Sequence, residues 1–291
     1  MTNFGLTKAN LNLKYRLGLE HALAQADFLH VPDLVLVQAF AIFLCLLRRY
    51  DSPRFVWMMT GLLIRMGHAL GLHRDGAHLN NFTPFEIEMR RRTWWVLCTL
   101  DVRASEDQGS DFSILRGSFN TKLPLNINDA DIEPGTAEMP AEREGFTDMT
   151  FTLVTVETSD ITRQMVSPSA KEDAPGIEEQ ARLLGELHRK LAQSYLQYPE
   201  GSGNVAYWVA VTVSRLMMAK MTLFIYLPTL FSSPNEHFSE KIRTKLLVAA
   251  IEIAECNHAL NAEEACRHWR WVFQTYTRKF DVFHSTSYLL L

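Results

Sequence analysis

Apolar residues recur at spacings of three and four along most of the chain, which is the pattern of amphipathic α-helices. Ser52 and Pro53 suit the cap and the first position of one such helix, and Gly71 suits its end. The apolar stripe between them consists of Val56, Met59, Leu63, Met66 and Leu70. This segment therefore predicts a helix that packs by one face.

The same pattern predicts helices through nearly all of the sequence. Thr83 and Glu86 have the spacing of a capping box and mark the start of a central helix. Further helices are expected at 11–29, 33–49, 177–198, 204–226 and 236–260. We predict an all-α protein, with a single multi-helix domain over residues 1–291 and paired α-hairpins.

The helical pattern breaks after Gly109, where glycine, proline and asparagine become frequent. We expect a long irregular segment around residues 109–145, which in a compact domain is usually functional or an inserted lid. Residues 146–161 contain many β-branched side chains, so their composition fits a strand as well as a helix. The polar stretch 167–175 is the best candidate for a mobile linker.

Charge and cysteine content narrow the possible functions. The formal net charge is -4, so the chain shows no basic excess of the kind that binds nucleic acid. None of the four cysteines forms a CxxC pair, and reduced thiols are expected. No secretory signal is seen at the N-terminus, and Arg215 and Lys220 interrupt the longest apolar run, so we expect a buried core helix and no membrane partner.

No sequence motif identifies a catalytic residue, because a GxSxG elbow, a glycine-rich phosphate loop and HExxH are all missing. The strongest enzyme alternative uses Asp107 and Asp111, whose carboxylates could hold Mg²⁺ and a diphosphate in an all-α protein. His68, His73 and His78 leave a zinc site open, although their spacing of five does not align them on one helix face. Apart from these alternatives, no metal or cofactor is expected.

A family resemblance rests on four sequence motifs in a fixed order. They are LGLHRDG at 70–76, EMRRRTWW at 88–95, LDVRASEDQG at 100–109 and LPLNINDAD at 123–131. A weaker match returns at 266–277. The chain resembles the fungal-specific transcription factor domain, the middle homology region of fungal zinc-cluster transcription factors. That resemblance implies a helical regulatory body and favours a helix at 146–161.

Within these matching segments we expect a set of residues that join the central helix to the following loop in a polar network. They are Arg74, Asp75, Arg90, Arg92, Trp94, Trp95, Asp101, Arg103, Glu106, Asn126, Asn128 and Asp129. Internal ion pairs of the three arginines at 90–92 are expected, for example with Asp101, Glu106 or Asp107.

We therefore expect a regulatory domain that senses a small apolar ligand or a protein partner, located in the nucleus. The family reads DNA through a six-cysteine zinc cluster, which these residues do not contain, so DNA contact is expected only through such a module. The alternative is a stand-alone, cytoplasmic enzyme or binding protein of fungal secondary metabolism, such as a Mg²⁺-dependent, terpene-cyclase-like enzyme.

Overall fold

The computed structural model describes residues 5–79, 81–165, 176–197, 204–232, 240–270 and 272, and in these ranges it contains eight α-helices and no strand. The helices are α1 Lys8–Gln25, α2 Leu34–Leu47, α3 Pro53–Ala69, α4 Pro84–Gln108, α5 Thr150–Met165, α6 Ile177–Leu191, α7 Val205–Ser232 and α8 Glu240–Ala262. The all-α prediction is confirmed. The proposed linker at 167–175 lies outside the described residues.

Helix ends follow the local sequence signals. The Ser52 hydroxyl accepts a hydrogen bond from the backbone N–H of Phe55 at 3.2 Å, which caps α3. Gly71 follows the end of α3 with a φ of 67°, a left-handed value that glycine adopts without strain. Thr83 and Glu86 exchange the two bonds of a capping box at the start of α4. Each of these predictions is confirmed.

Residues 109–149 lack regular structure except for short turns such as the 3-10 turn Asp129–Asp131, so the predicted irregular segment is confirmed. Residues 150–165 form α5. The ambiguity at 146–161 is therefore resolved in favour of the helix that the resemblance implied. Interior packing decides it, since Leu153, Val154 and Val156 are all buried.

The chain divides into two compact units, and the first comprises residues 1–81, 89–114 and 118–122. Its α2 and α3 pack as a hairpin. A Cβ at Gly67 of α3 would lie 2.5 Å from the Leu97 side chain of α4, so glycine allows these two helices to approach closely. The fully buried side chains of this unit include Phe40, Leu44, Leu63, Leu72, Trp94 and Leu97.

The second unit comprises residues 82–88, 115–117 and 123–291. Its central helix is α7, which packs on α5, α6 and α8. One helix in the described part of the chain, Val205–Pro228, is long and apolar enough to cross a membrane, but most of its apolar window is buried. This agrees with the predicted core helix. The single-domain assignment of residues 1–291 stays a prediction.

Candidate functional site

A buried ion pair forms the centre of the candidate site in the first unit. The Asp75 side chain is 0% exposed and follows the turn that ends α3. Arg91 of α4 donates two hydrogen bonds to it, from Nε and Nη2, each at 2.9 Å. This two-pronged arrangement uses the planar fork of the guanidinium, which lysine cannot reproduce.

Asp75 is held as a carboxylate by more than Arg91. The backbone N–H groups of Lys122 and Ala77 donate to it at 2.8 and 3.0 Å. Burial pushes the pKa of Asp75 up, but the hydrogen bonds from Arg91 and from these two N–H groups outweigh it and lower the pKa from 3.8 to about 2. The carboxylate is therefore ionised at any physiological pH.

Residues 118–122, here called the strap, are tied to the turn after α3 and to α4 by polar contacts. The Asn120 side chain accepts from the backbone N–H of Asp75 at 3.0 Å, and the Thr121 hydroxyl donates to the carbonyl of Leu72 at 2.6 Å. Nε1 of Trp95 donates to the carbonyl of Lys122 at 2.8 Å. Because these bonds come from different elements, the strap has one defined position in the unit.

An aromatic cluster lies beside the strap. Phe119 packs edge-on against both Trp94 and Trp95, with ring centroids 5.5 and 5.4 Å apart. His68 packs edge-on against Trp94 and lies 4.8 Å from the His73 ring. Burial, the His68 ring and the neighbouring Arg74 charge lower the pKa of His73. The cluster therefore favours a neutral imidazole at this position.

The Arg90 side chain binds the C-terminal end of α3. Its Nη2 donates to the carbonyl of Leu70 at 2.8 Å, so a positive charge meets an end of the helix where carbonyl groups lack intrahelical partners. Gly71 lies beside this guanidinium: a Cβ added to Gly71 would be 3.7 Å from Nη2 of Arg90. This contact connects α4 to the same turn that presents Asp75.

A second set of hydrogen bonds, here called the second anchor, lies further along α4; the first is the set that holds the strap. Asp101 is buried and accepts from the backbone N–H groups of Ser113 and Ile114 at 3.0 and 2.9 Å. The Ser105 hydroxyl donates to the backbone carbonyl of Asp111 at 3.0 Å. These bonds return the chain along α4 after the helix ends, so Asp101 orders the start of the irregular segment.

A third anchor lies in the second unit. Nδ2 of Asn126 donates to the carbonyls of Arg143 and Gly145, and its Oδ1 accepts from the Thr147 hydroxyl at 2.7 Å. Asn128 accepts from the backbone N–H of Asp148 at 3.1 Å. These contacts close the loop between 126 and 148.

The structure places the twelve predicted residues as follows. Asp75, Arg90, Trp94 and Trp95 surround the turn after α3 and the strap. Asp101 is in the second anchor, while Asn126, Asn128 and Asp129 belong to the loop of the second unit, where the Asp129 backbone N–H donates to Asp148 at 3.0 Å. Arg74 and Glu106 are exposed, and Arg92 and Arg103 are half-buried on α4.

Sequence reasoning missed the arginine that matters most at the centre. The acids suggested for the three arginines were Asp101, Glu106 and Asp107, yet Arg91 pairs with Asp75. Asp101 is ten residues further along the same helix, which places it about 15 Å away, beyond reach. Asn120 was also missed, because its bond to the backbone N–H of Asp75 spans 45 positions and no local signal marks it.

The two acids of the metal alternative have different surroundings. Arg48 of α2 donates to Asp107, with its Nε 2.6 Å from Oδ2, while Asp111 is exposed. Among the described residues no three histidine, cysteine, aspartate or glutamate side chains come close enough together to hold a metal ion. His68 and His73 meet as part of the aromatic cluster.

The sequence of this chain is similar to known proteins. The family model of the fungal specific transcription factor domain matches residues 3–200, more than half of the chain. The aurofusarin cluster transcription factor of Gibberella zeae is 35% identical over 199 residues, covering 67% of this chain and 30% of that protein. No solved structure matches the chain.

Two further relatives cover different shares of the chain. The pyriculol/pyriculariol biosynthesis cluster transcription factor 1 of Pyricularia oryzae is 33% identical over 57% of this chain and 21% of its own length. A transcriptional regulator of Aspergillus aculeatus is 25% identical over 92% of this chain and 37% of its own length. The chain thus spans between a fifth and two fifths of the length of these three relatives, and it belongs to the family of the fungal specific transcription factor domain.

Proposed function

We propose that this chain is the regulatory domain of a transcription factor that controls a fungal biosynthetic gene cluster, and that it works in the nucleus. Its family supports this, as do relatives whose names place them in the aurofusarin and the pyriculol/pyriculariol clusters. In this proposal DNA is read by a zinc-cluster module, which residues 1–291 do not contain, and the present chain decides when that module is productive.

The observation that carries the regulatory part is the buried Asp75–Arg91 pair with the strap bonded to it. A buried ion pair is weak evidence for stability, because desolvation of both charges offsets most of their attraction. Directional bonds of this kind do specify one arrangement of the strap and exclude intermediate ones. A regulatory domain also needs a second discrete arrangement, and in this proposal the strap has one in which these bonds are broken.

The signal in this proposal is a small apolar ligand or a protein partner that binds one arrangement of the strap more tightly than the other. Only such a difference in affinity can shift the equilibrium between them. A shift from 1:99 to 99:1 needs about 5.5 kcal/mol of differential binding, which lies within the range of a modest interface.

The test is an Asp75→Asn substitution at the native gene, compared with deletion of the gene and with Asp111→Asn as a charge-matched control. Deletion should change the transcript levels of the neighbouring biosynthetic genes. Asp75→Asn should uncouple those levels from the conditions that normally induce or repress them, while Asp111→Asn should not, because Asp111 is exposed.

Two results would count against this function. Unchanged cluster transcripts after deletion would remove the transcriptional role. Normal induction in an Asp75→Asn strain whose protein level is also normal would leave the transcriptional role standing but assign the pair to the structure alone. A western blot of the variant separates these cases from simple loss of the protein.

A further inference from the structure

Helix α8 of the second unit is apolar on two opposite faces. One face is buried and consists of Leu246, Ala249, Ile253, Cys256 and Leu260. On the opposite side Leu247, Val248 and Ile251 are 52%, 56% and 49% exposed. We call these three residues the outer stripe. Adjacent apolar side chains that stay exposed on the outer side of a helix mark a candidate interaction surface, so the outer stripe indicates a second packing partner.

The first turns of α8 contain Glu240, Lys241, Arg243 and Lys245, and its second half contains Glu252 and Glu255. Two of them are engaged within the unit, since Lys245 donates to Tyr226 at 3.1 Å and Glu252 accepts from Arg215 at 3.0 Å. Lys241 and Glu255 are exposed.

The positions of Lys241 and Glu255 are symmetric about the outer stripe. Each lies seven residues, about two turns, from Val248, and at about 100° per residue both fall on the same edge of the stripe. An antiparallel copy of α8 related by a two-fold axis at Val248 would place Lys241 opposite Glu255 twice. A parallel copy would place lysine opposite lysine.

We propose that the outer stripe is a homodimer interface, in which α8 packs antiparallel against α8 of a second copy with Val248 on the two-fold axis. The symmetric placement of Lys241 and Glu255 about Val248 is the reason to choose a second copy over an unrelated partner, because a two-fold interface must match itself. This inference rests on α8 alone and does not depend on the proposed function.

The dimer is expected to be weak. From Lys241 to Glu255 the helix is about 21 Å long, so one helix pair covers less than the roughly 800 Å² per partner of a standard interface. Micromolar dissociation is therefore expected, with the apolar residues supplying most of the affinity and the charges supplying direction.

The first experiment is sedimentation equilibrium of the 291-residue chain over a concentration series from about 1 to 200 μM, a range suited to micromolar affinity. The chain should show a monomer–dimer equilibrium. Val248→Ser should raise the dissociation constant about tenfold or more, because the substitution acts twice at the axis. Val35→Ser is the matched control, since Val35 is 69% exposed but lies on α2.

Charge exchange tests the direction of the helices. Lys241→Glu should weaken the dimer several-fold by placing glutamate opposite glutamate, and the double variant Lys241→Glu with Glu255→Lys should restore it. Circular dichroism checks that each variant keeps its helix content. A monomer at every concentration, a dimer insensitive to Val248→Ser, or a double variant as weak as the single one would each overturn the proposal.

Cysteine cross-linking gives an independent readout of the same geometry, in a background where the half-buried Cys45 is replaced by alanine. Val248→Cys should form an intermolecular disulfide on mild oxidation, because the two copies of this residue meet at the axis. Lys241→Cys should not, since its two copies would be about 21 Å apart. Equal cross-linking at both positions would indicate a parallel pair and contradict the antiparallel arrangement.

Discussion

The strap with its ion pair and the α7–α8 pair are held in place by different kinds of interaction. In the first unit, residues 118–122 are held by directed hydrogen bonds to Asp75, Leu72 and Trp95. In the second unit, α7 and α8 are held by apolar side chains such as Leu216 and Leu246, which are both fully buried. Directed bonds fix one geometry, whereas apolar burial rewards any close packing of about the right volume.

This difference predicts where the protein tolerates change. Side chains that contribute by burial can be exchanged for others of similar volume at small cost. Side chains that contribute by directed bonds leave a buried partner unsatisfied when they are replaced, so even a conservative exchange is costly. A region of the second kind is the better place for an all-or-none change of state.

The largest effect is expected for Arg91→Met, which leaves the Asp75 carboxylate buried without its guanidinium. Removal of one partner of a buried pair costs about 3–5 kcal/mol of unfolding free energy. Arg91→Lys should recover only part of this, because lysine keeps the charge but loses the fork. Urea unfolding followed by circular dichroism measures both.

The exposed Arg65 of α3 provides the control for this experiment, and Arg65→Met should change the unfolding free energy by less than about 0.5 kcal/mol. Equal stability of the Arg91→Lys variant and the natural protein would mean that the charge alone, and not the directed pair of bonds, holds Asp75.

The apolar side of the comparison is tested at Leu246 of α8. Leu246→Ala should cost about 2–5 kcal/mol, because it removes buried methyl groups and leaves a cavity. Leu246→Met should cost less than about 1.5 kcal/mol, since the volume is nearly conserved. The contrast between a tolerated methionine here and a poorly tolerated lysine at Arg91 is the expected signature, measured by the same urea unfolding. A methionine variant as unstable as the alanine variant would show that α8 also needs one defined geometry.

The dependence of the unfolding free energy on acid pH tests the contribution of the Asp75 carboxylate. The folded pKa of Asp75 is depressed from 3.8 to about 2. The stabilisation that it provides is therefore fully present above about pH 4 and is lost as the pH falls towards 2, by about 2 kcal/mol in total. The part of the acid sensitivity between these two pH values should disappear in Asp75→Asn. Persistence of the full acid sensitivity in that variant would assign it to other carboxylates.

Local features and long-range contacts differ in how far the sequence predicts them. The helices and their ends could be predicted because their signals are local: a stripe of apolar spacings for α3, a capping box at Thr83 and Glu86, and a left-handed glycine at Gly71. The buried character of α7 followed in the same way from its nearly continuous apolar sequence.

The pairing of Asp75 with Arg91 could not be predicted in this way. The two residues are 16 positions apart and meet only because the turn after α3 brings Asp75 back beside α4. Three consecutive arginines point in different directions around a helix, and the sequence does not say which of them faces the turn.

The smallest effect is expected at two tryptophans and tests whether a single directed bond can be measured. Nε1 of Trp95 donates to the carbonyl of Lys122 in the strap, so Trp95→Phe should cost about 1 kcal/mol for the lost bond in addition to the lost ring area. Trp94 of α4 is the control, because it is fully buried and its Nε1 has no hydrogen-bond partner among the described residues. Trp94→Phe removes a similar buried ring area but also an unsatisfied donor, so its net cost should be smaller. The difference between the two variants in urea unfolding isolates the bond to the strap, and equal costs would mean that the strap is held by packing rather than by direction.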